Sequence, residues 1–109
     1  MLRKLLVTAS MLAAVIAMSA RAEVDKKTER AWKAKCASCH AADASGDTEQ
    51  GKKLGVKDYT KAEWQARKTD DQIKAGIENG VKDQMDGYKD KLDAEQIKKL
   101  VELIRSFKK

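Results

Sequence analysis

Both cysteines of this chain and its only histidine fall within one six-residue stretch, Lys35-Cys36-Ala37-Ser38-Cys39-His40. Any fold must therefore present two thiols and an imidazole from about one turn of backbone, since Cys36 and His40 are only four residues apart. A structural zinc site would need four ligands around the ion. Three neighbours on one turn cannot easily surround it, and the fourth would have to be a carboxylate. A thioredoxin-type Cys-x-x-Cys belongs beside a βαβ pattern. The sequence shows no convincing strand alternation, and that reading leaves His40 without a role.

The order Cys-x-x-Cys-His is the signature of covalent c-type haem attachment. Two thiols three residues apart, Cys36 and Cys39, can add to the two vinyl groups on one edge of a porphyrin. His40 then follows directly and ligates the iron. A large apolar macrocycle also answers a shortage in the composition. From Glu23 onward, Leu, Ile, Val and Phe make up only 13 of 87 residues, below the roughly 20% that a charged chain needs to escape disorder. The chain without haem is expected to be largely unfolded.

The N-terminus looks removable. Arg3 and Lys4 precede an apolar run from Leu5 to Met18, and Ser19-Ala20-Arg21-Ala22 places small residues at both positions of an A-x-A cleavage site. That is the order of a secretory signal peptide, and the run is shorter than the roughly 20 residues of a spanning helix. Residues 1–22 are expected to be cleaved after Ala22, leaving 23–109 as one exported, periplasmic domain with no transmembrane segment. Three of the 23 basic residues lie in the leader, so the domain carries 20 against 17 acids. A balance of +3 lacks the basic bias of a nucleic-acid binder.

The domain reads as all-α. It has no proline. Thr60-Lys61-Ala62-Glu63 and Thr69-Asp70-Asp71-Gln72 have the form of capping boxes, and Asp93-Ala94-Glu95-Gln96 is similar with an acidic cap. Ile97, Leu100, Val101, Ile104 and Phe107, with Leu103 beside them, predict one wide apolar stripe on a helix over about 94–107. A helix from Asp70 places Ile73 and Ile77 on one face and stops at Gly80. A first helix over about 25–36 stacks Thr28, Ala31, Trp32 and Lys35 on one side. Residues 40–60 read as a long loop with room for one helical turn, a feature that needs a reason in a compact domain.

The second axial position of a haem iron decides what it does. His40 has no second histidine to pair with. Of the four methionines, only Met85 survives cleavage, on a short polar loop after Gly80 and flanked by Gln84 and Asp86. A lone methionine is usually a core gap-filler, and this loop is a poor place for packing. Met85 is the expected sixth ligand, with lysine, water or an open position as the alternatives. A His/Met pair is the ligand set of cytochromes c.

On these residues the chain resembles a small class I monohaem cytochrome c over nearly all of residues 23–109. An aromatic, Trp32, lies four residues before the first cysteine. Met85-Asp86-Gly87-Tyr88 is similar to the family's Met-Pro-x-Phe loop, and Leu100 to Phe107 resembles its closing helix. Departures are Thr28 where the family often has glycine, Leu103 where it often has an aromatic, Asp86 for the usual proline, and no proline to orient the haem histidine.

The resemblance implies a fold of about four helices around one covalent haem c. It implies a soluble, monomeric, periplasmic one-electron carrier rather than an enzyme, working with membrane respiratory complexes or periplasmic oxidoreductases. It also implies that Tyr59 or Trp64 hydrogen-bonds a haem propionate, and that Tyr88 packs by the Met85 loop. Lys35, Lys52, Lys53, Lys82, Lys89 and Lys91 fall near the expected haem edge, but acids interleave with them and favour an ordinary solvated face. The rival functions are a haem-based sensor or enzyme with an open sixth site, and a haem subunit docked in a larger respiratory complex.

Overall fold

The computed structural model describes residues 25–109, so the leader and its cleavage site lie outside the described residues. Among them the chain is all-helical, with six helices: α1 Lys26–Lys35, α2 Ala37–His40, α3 Glu49–Leu54, α4 Ala62–Arg67, α5 Asp70–Asn79 and α6 Ala94–Ser106. Extended pairing is limited there to one isolated antiparallel bridge, Val81 with Met85. The expectation of about four helices is exceeded by short elements. The attachment turn is a helix of its own, and the predicted loop over 40–60 contains α3.

The long helices follow their sequence signals. Asp93 Oδ1 accepts from Gln96 N while Gln96 Oε1 accepts from Asp93 N, at 2.8 and 2.9 Å. Thr69 and Gln72 make the same reciprocal pair at the start of α5. These boxes satisfy first-turn amides that the helix itself leaves unpaired. The box expected at Thr60–Glu63 does not form. Lys61 is the N-cap of α4 and makes no side-chain bond, because the Thr60 hydroxyl and amide both turn back to Asp58 Oδ1.

α6 packs against both α1 and α5. Its stripe of Ile97, Leu100, Val101, Leu103 and Ile104 is buried, at about 1.5–3 kcal/mol for each fully buried aliphatic side chain. Trp32, Trp64, Ile73, Ile77 and Leu92 complete most of the core around it. Thr28, where the resemblance led one to expect glycine, is itself buried between α1 and α6. Asp25 Oδ1 accepts from both the amide and the hydroxyl of Thr28, and Oδ2 pairs with Lys99 of α6 at 2.8 Å. The helix crossing is thus closed by a polar clamp.

A second polar cluster pins α4 to α6. Gln65, buried, donates to the carbonyls of Tyr59 (2.7 Å) and Ile104 (2.9 Å). Arg105 donates to the backbone oxygen and Oε1 of Gln65, to the Lys68 carbonyl and to Asp70 Oδ1. The last carbonyls of α4 and the acidic first turn of α5 are served by one guanidinium, whose rigid fork suits several acceptors at once. Neither Gln65 nor Arg105 stands out in the sequence.

Candidate functional site

The helical run of α1 breaks at Cys36, which ends α1 and begins α2 with φ −120° and ψ −36°. Cys36, Cys39 and His40 are all half-buried, and both thiols are free. The segment after them explains the long connection. Thr48 Oγ1 donates to the Cys39 carbonyl at 2.7 Å, and the Gly46 amide donates to the His40 carbonyl at 2.8 Å. Trp32 Nε1 donates to the Ala41 carbonyl at 3.1 Å. A Cβ on Gly51 would lie 2.3 Å from the Cys39 oxygen. Only glycine lets α3 approach the attachment turn this closely.

The His40 ring has two aromatic neighbours. Tyr59 stacks on it with centroids 5.0 Å apart, and Trp32 sits tilted at 5.9 Å. Tyr59 in turn stacks on Trp64 at 4.1 Å. Burial lowers the His40 pKa below its ordinary value, so the imidazole is neutral at neutral pH, the form that binds metal. Burial also pushes the Cys36 thiol up to about 11 and the Tyr59 phenol up to about 12. Both keep their protons at neutral pH, and Tyr59 remains a hydrogen-bond donor.

Cys36, His40 and Met85 line one cavity of about 230 Å³, floored by Ile73, Ile77, Leu92, Leu100 and Ile104 and flanked by Trp32, Tyr59 and Trp64. An outer lobe of about 460 Å³ shares Cys36, His40, Tyr59, Met85 and Tyr88 and adds Cys39. The four residues singled out in the sequence therefore face one slot, with both thiols on its wall. Of the lysines expected around it, only Lys35 lines it; Lys57 lines both lobes and Lys68 the inner one. Lys52 pairs instead with Asp47 on an exposed face. Lys57 was not singled out because nothing in its local sequence distinguishes it from its neighbours.

Two features fit a flat, apolar, metal-bearing cofactor. His40 Nδ1 is buried with no hydrogen-bond partner, the one such side-chain polar atom among the described residues. Such atoms are rare in folded proteins and ask for an explanation. Gly76 lies on the inner wall, one turn from Ile73 and beside Ile77, and a Cβ there would meet nothing within 4 Å. A mid-helix glycine costs about 0.5–1 kcal/mol relative to alanine. The open space over it is what a planar group pressed against α5 requires. The aliphatic floor, the neutral imidazole, the two thiols and the lysines at the rim suit a haem with its carboxylates outward.

The family described as Cytochrome C oxidase, cbb3-type, subunit III matches this chain over residues 23–104. Among solved structures, the KustC0563 c-type cytochrome is 35% identical, covering 75% of this chain and 98% of its own, with a TM-score of 0.72. A tyrosine-to-phenylalanine mutant of that protein is similar at 34% identity, with 74% and 98% coverage and a TM-score of 0.69. No curated protein matches significantly.

Proposed function

We propose, from the premise that this chain belongs to the cbb3-type cytochrome c oxidase subunit III family and is a small all-helical c-type cytochrome domain, that it is a one-electron carrier. Cys36 and Cys39 would hold haem c through thioether bonds, each formed by adding a thiol S–H across a vinyl double bond. His40 and Met85 would be the axial ligands. The observation that carries this reading is the convergence of those four residues on one slot with an aliphatic floor. When bound, the haem supplies reversible exchange of one electron at its iron.

The chain's own residues bind, orient and keep dry. Trp32 and Tyr59 pack beside the His40 ring and would hold its orientation. The α5 and α6 aliphatics exclude water from the inner lobe. Lys57 and Lys68 offer positive charge to carboxylates at its rim, and Tyr59 a hydroxyl. No side chain of the slot has to gain or lose a proton for an electron to pass. With both axial positions filled, no position is left for substrate, which separates a carrier from an enzyme.

The leader supports an exported protein cut after Ala22, acting in the periplasm. N-terminal sequencing of the exported product is expected to begin at Glu23. The family description supports a second reading, a haem subunit held within a respiratory complex. Among the described residues no helix is long and apolar enough to cross a membrane. Migration as a monomer at native concentration favours the free carrier; co-migration with a membrane oxidase favours the subunit.

The test of the site is the absorption spectrum of the reduced, exported protein with and without carbon monoxide. A low-spin spectrum that carbon monoxide leaves unchanged is the expected result. Ready binding of carbon monoxide would open the sixth position and point to a sensor or enzyme.

A further inference from the structure

Asp86 stands where the resembled family has a proline after its methionine, so the Met85 loop lacks the stiffness that a fixed φ supplies. Backbone contacts provide it instead. α5 ends at Gly80, with φ +72° and ψ −169°. The Val81 amide donates to the Met85 carbonyl and the Met85 amide to the Val81 carbonyl, each at 2.9 Å. A Cβ on Gly80 would lie 2.3 Å from the Met85 oxygen and 2.6 Å from the Gly87 nitrogen. A Cβ on Gly87 would lie 2.5 Å from the Glu78 oxygen. From Met85 to Gly87, then, the loop touches the end of α5 backbone to backbone.

One further bond ties the loop across the slot. The Tyr88 amide donates to the Ile77 carbonyl at 2.8 Å, and its hydroxyl donates to the Lys35 carbonyl at 3.3 Å, one residue before Cys36. The family's phenylalanine near this place has no hydroxyl to do so. We propose that Gly80 and Gly87, latched to the end of α1 by the Tyr88 hydroxyl, are positioning residues that hold Met85 against the slot in place of the missing proline. This inference rests on Met85 being the sixth ligand.

The experiment uses the haem-loaded protein in five variants: Gly80→Ala, Gly87→Ala, Tyr88→Phe, Met85→Ala and Val101→Ala. Each is read by the far-red charge-transfer band of methionine sulfur on ferric iron, by carbon monoxide binding to the ferrous form, and by the urea midpoint. Val101 is a core residue that lines neither lobe, so Val101→Ala is expected to lower the midpoint and leave the band intact.

Gly80→Ala places a side chain at a left-handed φ against Met85 itself. The fraction open to carbon monoxide is expected to rise on the order of tenfold, from the cost of that conformation. Gly87→Ala should act in the same direction. Tyr88→Phe removes one neutral hydrogen bond and should raise the fraction about two- to tenfold. If Met85→Ala opens the site but the glycine and tyrosine variants behave like Val101→Ala, the inference fails while the ligand reading stands. If Met85→Ala changes neither band nor carbon monoxide binding, the ligand reading fails and takes the inference with it. Should Gly80→Ala not mature, Gly87→Ala and Tyr88→Phe decide the matter alone.

Discussion

Replacing both attachment cysteines, Cys36→Ala with Cys39→Ala, is expected to leave a chain that does not hold its fold. The inner lobe measures about 230 Å³. At about 24 cal/mol per Å³, the figure for an enclosed cavity, the wall around it forfeits at most about 5.5 kcal/mol when nothing packs there. A domain the size of the described region, residues 25–109, has a total stability of only about 4–13 kcal/mol. The core that remains is short of reserves, since no large side chain among the described residues falls below 2% exposure. The polar clamps at Asp25 and Gln65 persist in the variant, but they tie helices together without filling the slot. The assay is far-UV circular dichroism and a urea titration of the colourless variant beside the haem-loaded parent. Low helix content and no cooperative transition at 25 °C are expected. A colourless variant with parental helix content and a cooperative unfolding free energy above about 5 kcal/mol would refute the idea that this core depends on a filled slot.

Gln65→Leu keeps the volume but removes the donors to the Tyr59 and Ile104 carbonyls and one acceptor of Arg105. At about 1 kcal/mol per bond, a loss of about 2–4 kcal/mol in chemical denaturation of the haem-loaded protein is expected. Gly76→Ala should weaken the haem-loaded protein and shift its visible spectrum, because the added methyl enters the inner lobe, although alanine is the better helix former by about 1 kcal/mol. Ala41 holds φ 73° and ψ 157° directly after the attachment turn, a region that costs a residue with a Cβ about 1–3 kcal/mol. Ala41→Gly should raise the urea midpoint. The Lys99 ion pair and the Thr28 bonds lower the Asp25 pKa. Its contribution is therefore present above the unfolded carboxylate value, about 3.9, and is lost as pH falls through the lower folded value. Asp25→Asn should reduce stability at neutral pH and flatten the acid limb of the stability–pH curve.

The parts of this fold that were legible in the sequence are the parts decided locally. The α6 stripe and the caps at Thr69 and Asp93 involve residues three or four apart, and their geometry follows from helical spacing alone. The cysteine–histidine turn was legible for the same reason, as all its chemistry lies on one turn. Thr60 shows where such reasoning fails. Its Thr-x-x-Glu pattern matches a capping box, but Asp58 two residues earlier competes for the same hydroxyl and wins, as short polar side chains commonly do in turns. Gln65, Arg105 and Lys57 gain their roles from partners across the fold and carry no periodic signal. The segment over 40–60 shows most clearly what was missed. Read along the chain it is a glycine-bearing connector. In space its Gly46 amide, Thr48 hydroxyl and Gly51 backbone close on the His40 and Cys39 carbonyls, oxygens that would otherwise need water at the mouth of an apolar slot. Its length is what it takes to leave the attachment turn, come back to cap it, and deliver Tyr59 onto the His40 ring. The long loop is thus part of the site: Gly46 and Gly51 are placed by contacts with that turn, while Gly55 ends α3 in a left-handed cap.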